Sequence, residues 1–524
     1  MPIPMPFRRL SRVALAAMLP MSLVLLMPAR SAAQAPSTAG SSPATALSFP
    51  ESPLGRLAGQ LVNLVNGGDS VAIARFVDAH VGHDPRGRSP AAMAGMLRAI
   101  GQQSGGVSLE RVRAITDGLR MVVRARRGDR RLMMEVDAGS DSTHIGEIDV
   151  VQLQGSGGMA PPAPWATGRL TDAQIAEVIR DHLRAAADSD RFSGQVVVAH
   201  GDRVLLDTAY GYADREHDVR NTRTTTFPVM SLGKMFTSVA IAQLVQQGRL
   251  RWDDTVASIL PEYPNRSAAA RITVRELLTH TAGVPDVFTA PRYRGSHDYG
   301  THLALLADFA DAPLTQAPGS HFAYSNGGFA TLAAIVEKLS GQPFETYLGD
   351  HVWGPSGMTQ TARAAGPDTS GRAMGYAHFS ELDPFGIDPR RSTASVRGVG
   401  KTLHVMGFGG GYYTADDLFR FARALRTGAL LRRDLVDTIT TAKVTMGGPM
   451  KYAFGFFDQE MNGARVVGHS GSNPDTGWDA DLEMVWDGDW TVIVLSNYDA
   501  PAGMQIEMPI LQLLTQQARE GAGG

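Results

Sequence analysis

The chain has 524 residues, 43% of them hydrophobic and 19% charged, a globular composition in a chain too long for one small core. The net charge of −3, with no basic stripe, argues against nucleic-acid binding. The absence of cysteine excludes disulfides, thiolate zinc sites and a cysteine nucleophile.

The first segment reads as an export signal. Arg8, Arg9 and Arg12 precede an apolar run from Val13 to Met27, and Ser31-Ala32-Ala33-Gln34-Ala35 offers small-residue cleavage positions. Residues 1–33 are expected to be a signal peptide removed near Ala33 or Ala35, placing the mature chain in the periplasm or outside the cell. The run is short for a membrane span and Pro20 interrupts it, so an uncleaved anchor is the lesser alternative. Residues 34–48, rich in Ala, Ser, Thr and Pro, read as a disordered spacer.

Residues 49–154 read as a small α+β domain. Leu54, Leu57, Leu61, Val62 and Val65 recur at helical spacing. Asp69 can cap a second helix carrying Val71, Ile73, Phe76 and Val77, and a third spans about Ala91 to Ile100. The period then becomes two, predicting strands at Val107–Ile115, Leu119–Ala125, Leu132–Val136 and Ile145–Leu153, with a turn at Gly128-Asp129. The order resembles the cystatin-like or nuclear-transport-factor-like modules in architecture alone. A spacer or docking role is the favoured reading.

Residues 155–167, with Gly-Ser-Gly-Gly and Pro-Pro-Ala-Pro, read as a linker to a second domain over 168–518. That domain begins with a helix over Leu170–Ala187 and a hairpin across Gly201-Asp202. It ends with strands near Ala464–Val467, Asp479–Trp486 and Thr491–Ser496 and a helix over Gly503–Gln517. Strands at both ends with helices between predict one antiparallel sheet built from both ends, a helical subdomain inserted into it, and a site in the cleft between them.

The chemistry concentrates at Ser231-Leu232-Gly233-Lys234. A lysine three residues after a serine lies one turn on, ~4.5 Å along a helix and on the same face. An uncharged lysine amine there can take the serine proton, an arrangement for acyl transfer. Of the five lysines, only Lys234 has a serine three positions before it. The apolar run Phe227-Pro228-Val229-Met230 delivers Ser231 to a helix start, and Gly248 can end that helix. Burial in such an apolar helix would lower the lysine pKa.

Two later segments can supply the remaining groups. Tyr324-Ser325-Asn326 precedes Gly327-Gly328 and an apolar helix, so its polar groups sit on a turn; a helix-capping turn with a surface Tyr is the structural alternative. Gly468-His469-Ser470-Gly471-Ser472 nearly matches a nucleophile elbow, but its fifth residue is serine and no strand-to-helix context follows, so Ser470 is rejected as nucleophile. As an edge strand beside a cleft, this segment could offer backbone N–H groups to an oxyanion.

Ser231-x-x-Lys234, Tyr324-x-Asn326 and His469-Ser470-Gly471, with the stretch Ile272 to Gly283 and Gly409-Gly410-Gly411-Tyr412, resemble the serine beta-lactamase / penicillin-binding-protein superfamily. The likeness covers about Thr171 to Gln517 and favours the class C beta-lactamase and D-alanyl-D-alanine carboxypeptidase (type B) branch. It implies an α/β (α+β) fold of the beta-lactamase/transpeptidase type. It implies Ser231 as acylated nucleophile and Lys234 and Tyr324 as shared base and acid. It further implies Asn326 as substrate and lysine orienter, the N–H groups of Ser231 and Ser472 as oxyanion hole, and His469, Ser470 and Gly471 as substrate-binding residues. His280 is set aside as a structural hydrogen-bonder. No metal and no cofactor are expected.

The lysine typical of class C enzymes at the third motif is here His469, whose ordinary pKa of about 6.5 leaves it mostly neutral at pH 7. Beta-lactam hydrolysis therefore ranks below generic ester or amide hydrolysis. The expected function is an exported serine hydrolase; the alternative is a penicillin-recognising sensor or non-turnover binding protein. The expected partner is a small-molecule or peptide substrate, with peptidoglycan fragments included, and with no nucleic acid and no membrane span once the signal is removed. The partner of the first domain stays open.

Overall fold

The computed structural model describes residues 49–82, 90–115, 118–127, 131–138, 144–153, 168–290, 292–293, 298–361, 371–377, 394–395, 404–446, 450–473 and 477–522. The expected signal peptide, spacer, linker and Gly128-Asp129 turn lie outside these residues. The described residues fall into two compact units, one before Ala160 and one after Pro161.

The first unit packs helices Pro53–Gly67, Ser70–His80 and Pro90–Ser104 with a four-stranded antiparallel sheet whose strands follow one another in sequence. Its local signals are physical. Ser52 accepts from the Gly55 N–H at 3.0 Å just before Pro53, and Gly68 ends the helix at φ 69°. Asp69 caps the second helix through Val71 and Ala72. The third helix runs past the expected Ile100 to Ser104, whose hydroxyl bonds back to the Ile100 carbonyl. Leu61, Ile73, Leu97, Met121, Val123, Leu132 and Ile148 share one core.

An eight-stranded sheet divides the second unit. Its order is Val444–Thr445, Lys451–Tyr452, Phe457–Met461, Ala464–Asn473, Trp478–Val485, Trp490–Ser496, Gly194–His200 and Arg203–Tyr210. Every pairing is antiparallel, and Trp490 faces His200 while Ser496 faces Gly194, so both ends of the unit build one sheet. Alternation along the strands separates two cores. Val197, Ala199, Leu482, Ile493 and Leu495 face the inserted helices. Val196, Val198, Val492 and Val494 face helices Asp172–Asp188 and Ala502–Ala522. The first of these helices is opened by a capping box between Thr171 and Gln174. Among the described residues no helix is long and apolar enough to cross a membrane.

One strand breaks the apolar rule. On Trp478–Val485, Ala480, Leu482 and Met484 face the inserted helices, while Asp479, Asp481 and Glu483 occupy the other face and are buried, as is Glu507 of the terminal helix. Asp479 accepts from the N–H groups of Gly503 and Met504 at that helix's start. Oxygens of Asp481, Glu483 and Glu507 have no hydrogen-bond partner. Burial pushes the Asp479 carboxyl up to about 6, and burial with mutual repulsion pushes Asp481, Glu483 and Glu507 up well above the usual carboxylate range. Folded-state values above the unfolded ones mean that stability is fully present below about pH 4 and is lost as pH rises through the folded values. Replacing Glu507 with Gln removes one such group. The Tm of the variant relative to the parent is expected to climb steadily from pH 4 to pH 8 in thermal scans; a difference independent of pH would refute this account.

Candidate active site

Ser231 lies in a 3₁₀ turn, Met230–Gly233, and Lys234 is the first residue of the α-helix Lys234–Gln246. The α-helix expected to start at Ser231 therefore starts three residues later. The tighter turn has three residues per turn, so positions i and i+3 eclipse and Lys234 is set directly over Ser231. Met230 holds φ at 45°, a left-handed conformation that turns the chain sharply into the serine. The helix behind it is buried on all sides from Lys234 to Leu244. Close approach on both flanks depends on glycine: a Cβ on Gly409 would meet the Met230 carbonyl oxygen at 2.1 Å, and one on Gly471 would meet the Ser231 nitrogen at 2.8 Å.

Lys234 is fully buried. Its Nζ donates to Asn326 Oδ1 at 2.8 Å and to the Phe408 carbonyl at 2.8 Å, and lies 3.1 Å from Ser231 Oγ. Burial holds its pKa well below the ordinary 10.5, with the Asp286 carboxylate opposing. A neutral amine has two N–H groups and one lone pair. Asn326 Oδ1 and the Phe408 carbonyl can only accept, so they use both N–H groups. The lone pair is left for the Ser231 hydroxyl.

Tyr324 donates to Ser231 Oγ at 2.8 Å. Burial pushes its phenol up, so it stays protonated at neutral pH. The capping-turn alternative is half right: Ser325 caps helix Asn326–Ser340 by accepting from Gly328, yet Tyr324 points at Ser231 rather than lying on the surface. Asn326 Nδ2 donates to Asp286 Oδ2 at 3.0 Å, and its backbone N–H donates to the same oxygen at 2.8 Å. An amide whose nitrogen faces a carboxylate must turn its oxygen to the lysine.

The third motif lies within the strand Ala464–Asn473, an interior member of the sheet and not an edge strand. The preceding strand pairs only with Ala464 to Gly468, however, so the half carrying His469 to Ser472 has one side open toward the Ser231 turn. His469 differs from its expected place in a substrate pocket. It is fully buried, with Nε2 3.0 Å from the Tyr452 hydroxyl and Nδ1 on the Ser470 carbonyl. Burial, and then the nearby lysine, push its pKa down to about 3, so it carries no charge at neutral pH. Ser470 is partly exposed and projects from the opposite face to His469 and Gly471, as alternation requires. Ser472 follows Gly471 on the open half.

Sequence reasoning missed several contributors. Asp286 follows Val284-Pro285, where only its charge marks it. Phe408 acts through a carbonyl, which every residue has. Its loop is tied by a buried pair: the Gly407 N–H donates to His302 Nε2 at 3.1 Å, and His302 Nδ1 lies 2.9 Å from Glu337. His280, set aside as a hydrogen-bonder, accepts from the Ser325 N–H at 3.1 Å and lies 3.3 Å from the Tyr452 hydroxyl.

This fold and constellation define a domain of the beta-lactamase/transpeptidase-like superfamily. Residues 176–517 match the family described as Beta-lactamase, and the chain belongs to that family. It is 28% identical over 302 residues to penicillin-binding protein 4 of Amycolatopsis lactamdurans, covering 53% of this chain and 74% of that protein. It is 25% identical over 313 residues to a D-aminopeptidase of Brucella canis, covering 59% of this chain and 57% of that protein. The crystal structure of a penicillin binding protein from Bacillus halodurans superposes with a TM-score of 0.56 at 26% identity, covering 63% of this chain and 99% of the other.

Replacing Asp286 with Ala frees the Asn326 amide to rotate. The expected result is a loss of roughly 10- to 100-fold in kcat/KM, the scale of a misplaced reacting group. Ester-hydrolysis kinetics on the folded variant check it, and undiminished kcat/KM would count against this role.

Proposed function

We propose that the chain is an exported serine hydrolase that cleaves an ester or amide through an acyl-enzyme on Ser231. The observation that carries this reading is the buried Lys234 amine, whose lone pair is left for a serine 3.1 Å away. Lys234 takes the Ser231 proton as Oγ attacks the substrate carbonyl. The tetrahedral oxyanion is met by the backbone N–H groups of Ser231 and Ser472, a role favoured by the close seating of Gly471 over the Ser231 turn. Tyr324, at 2.8 Å from Oγ, passes a proton to the leaving alcohol or amine, and Lys234 restores it. Water then repeats the sequence against the acyl-enzyme. Kinship with a D-aminopeptidase keeps D-amino-acid amides and peptides within the substrate class. Export rests on residues 1–33 alone.

The side-chain chemistry favours neutral acyl donors over carboxylate-bearing ones. The third motif supplies no cation, because His469 is buried and uncharged. Two residues after Asp286, Phe288 is 58% exposed and packs edge-on against the ring of Phe408, the residue whose carbonyl holds the lysine, at 5.6 Å. An exposed aromatic ring there suits an apolar acyl or leaving group.

A fluorophosphonate probe is expected to label Ser231, and Ser231→Ala is expected to abolish both labelling and turnover of p-nitrophenyl esters; a folded wild-type protein without a Ser231 adduct would sink the proposal. Neutral esters should exceed nitrocefin in kcat/KM, and the reverse order would overturn the substrate class. Since Lys234 must be neutral to act, kcat/KM should fall on the acid side as that amine protonates, at a pH well below 10.5.

A further inference from the structure

Beneath the site, His280, Tyr452 and His469 come from three separate segments and touch in series. Their hydrogen atoms have only one consistent arrangement when both imidazoles are neutral. At one end, the Ser325 N–H can only donate, so His280 Nδ1 accepts at 3.1 Å and His280 carries its proton on Nε2. At the other end, the Ser470 carbonyl can only accept, so His469 carries its proton on Nδ1 and its Nε2 accepts. The Tyr452 hydroxyl lies between them, 3.3 Å from His280 Nε2 and 3.0 Å from His469 Nε2. It must accept from the first and donate to the second.

We propose that this one-way chain holds the Tyr324 turn in register with the Gly471 strand, and that Tyr452 is the positioning residue at its centre. The proposal rests on the acyl-transfer reading for its effect on rate, but not for its geometry. One end of the chain is the N–H next to Tyr324, whose ring lies 4.2 Å from the His280 ring. The other end is the carbonyl between His469 and Gly471, on the half of the strand that beyond Gly468 is paired on one side only. A half-strand laddered on one side only has nothing to fix it on the other, and the histidine supplies a tie there. All three side chains are buried, so water does not compete for these bonds. Neither Ser231 Oγ bond is made by a member of the chain: its partners are Lys234 and Tyr324. It acts through the two segments that it joins.

Nitrogen-15 NMR of selectively labelled histidine at pH 7, with signals assigned by His280→Gln and His469→Gln, reads the geometry without any substrate. The expected result is His280 as the Nε2–H tautomer and His469 as the Nδ1–H tautomer. The opposite tautomer at either residue, or an imidazolium, overturns the chain. Tyr452→Phe deletes the central hydroxyl and keeps the ring. Its kcat toward a p-nitrophenyl ester is expected to fall about 10-fold with KM within twofold, as for misplacement of reacting groups rather than lost binding. An unchanged kcat, or a loss confined to KM, overturns the positioning role. If the phenylalanine variant does not fold, the wild-type tautomers decide. Should wild type hydrolyse nothing while both tautomers are as expected, the proposed activity fails and the chain stands.

Discussion

The burial of one lysine amine organises this molecule. An ammonium taken out of water is costly unless it is paired or gives up its proton. Lys234 is surrounded by one amide oxygen, one carbonyl and one serine hydroxyl, none of which is charged. The surroundings therefore favour the neutral amine without starving it of partners. Around that centre, other groups are held so that they cannot rearrange. Asp286 fixes which end of the Asn326 amide faces the lysine. The Glu337–His302 pair anchors Gly407, and the Thr237 hydroxyl grips the same residue's carbonyl at 2.6 Å, so the neighbouring Phe408 carbonyl is kept in place.

The sheet serves this centre by giving it a wall with two different faces. Alternation sends one set of aliphatic side chains into the helical core that carries Lys234 and the other set toward the terminal helices. The open half of the His469 strand then meets the Ser231 turn at glycine positions, where backbone can approach backbone. The carboxylates on the far face of the next strand are a separate matter. They load the packing of the terminal helix with groups whose ionisation is opposed by burial and by one another.

Much of this was legible in the sequence, because it is written in local patterns. The Ser231–Lys234 spacing, the glycines after Asn326 and the alternating strands near the C-terminus each carry a short-range signal. What escaped was long-range or borne by the backbone. The pairing of Gly194–His200 with Trp490–Ser496 brings strands from both ends together, which was inferred only in outline. The 3₁₀ turn at Ser231 depends on how Gly409 and Gly471 crowd the chain, and the burial of His469 depends on Tyr452, a residue with no motif of its own. A histidine in a polar-looking motif reads as a pocket residue until the residue that occupies its ring nitrogen is known.

The sheet's closure also sets an order of events. Ser496 donates to the carbonyl of Ser193 across a separation of 303 residues, and Gly194–His200 lies between the last strand and its own hairpin partner. Such distant pairing carries a large loop-closure cost and forms late. A chain emerging N-terminus first exposes Ser231 long before the Gly471 strand exists to meet it, and before Phe408 and Asn326 exist to hold the lysine. During that interval the lysine is hydrated and charged, and the serine is an ordinary alcohol. The Ser231–Lys234 arrangement is therefore completed only once Asn326, Phe408 and the Gly471 strand have joined it.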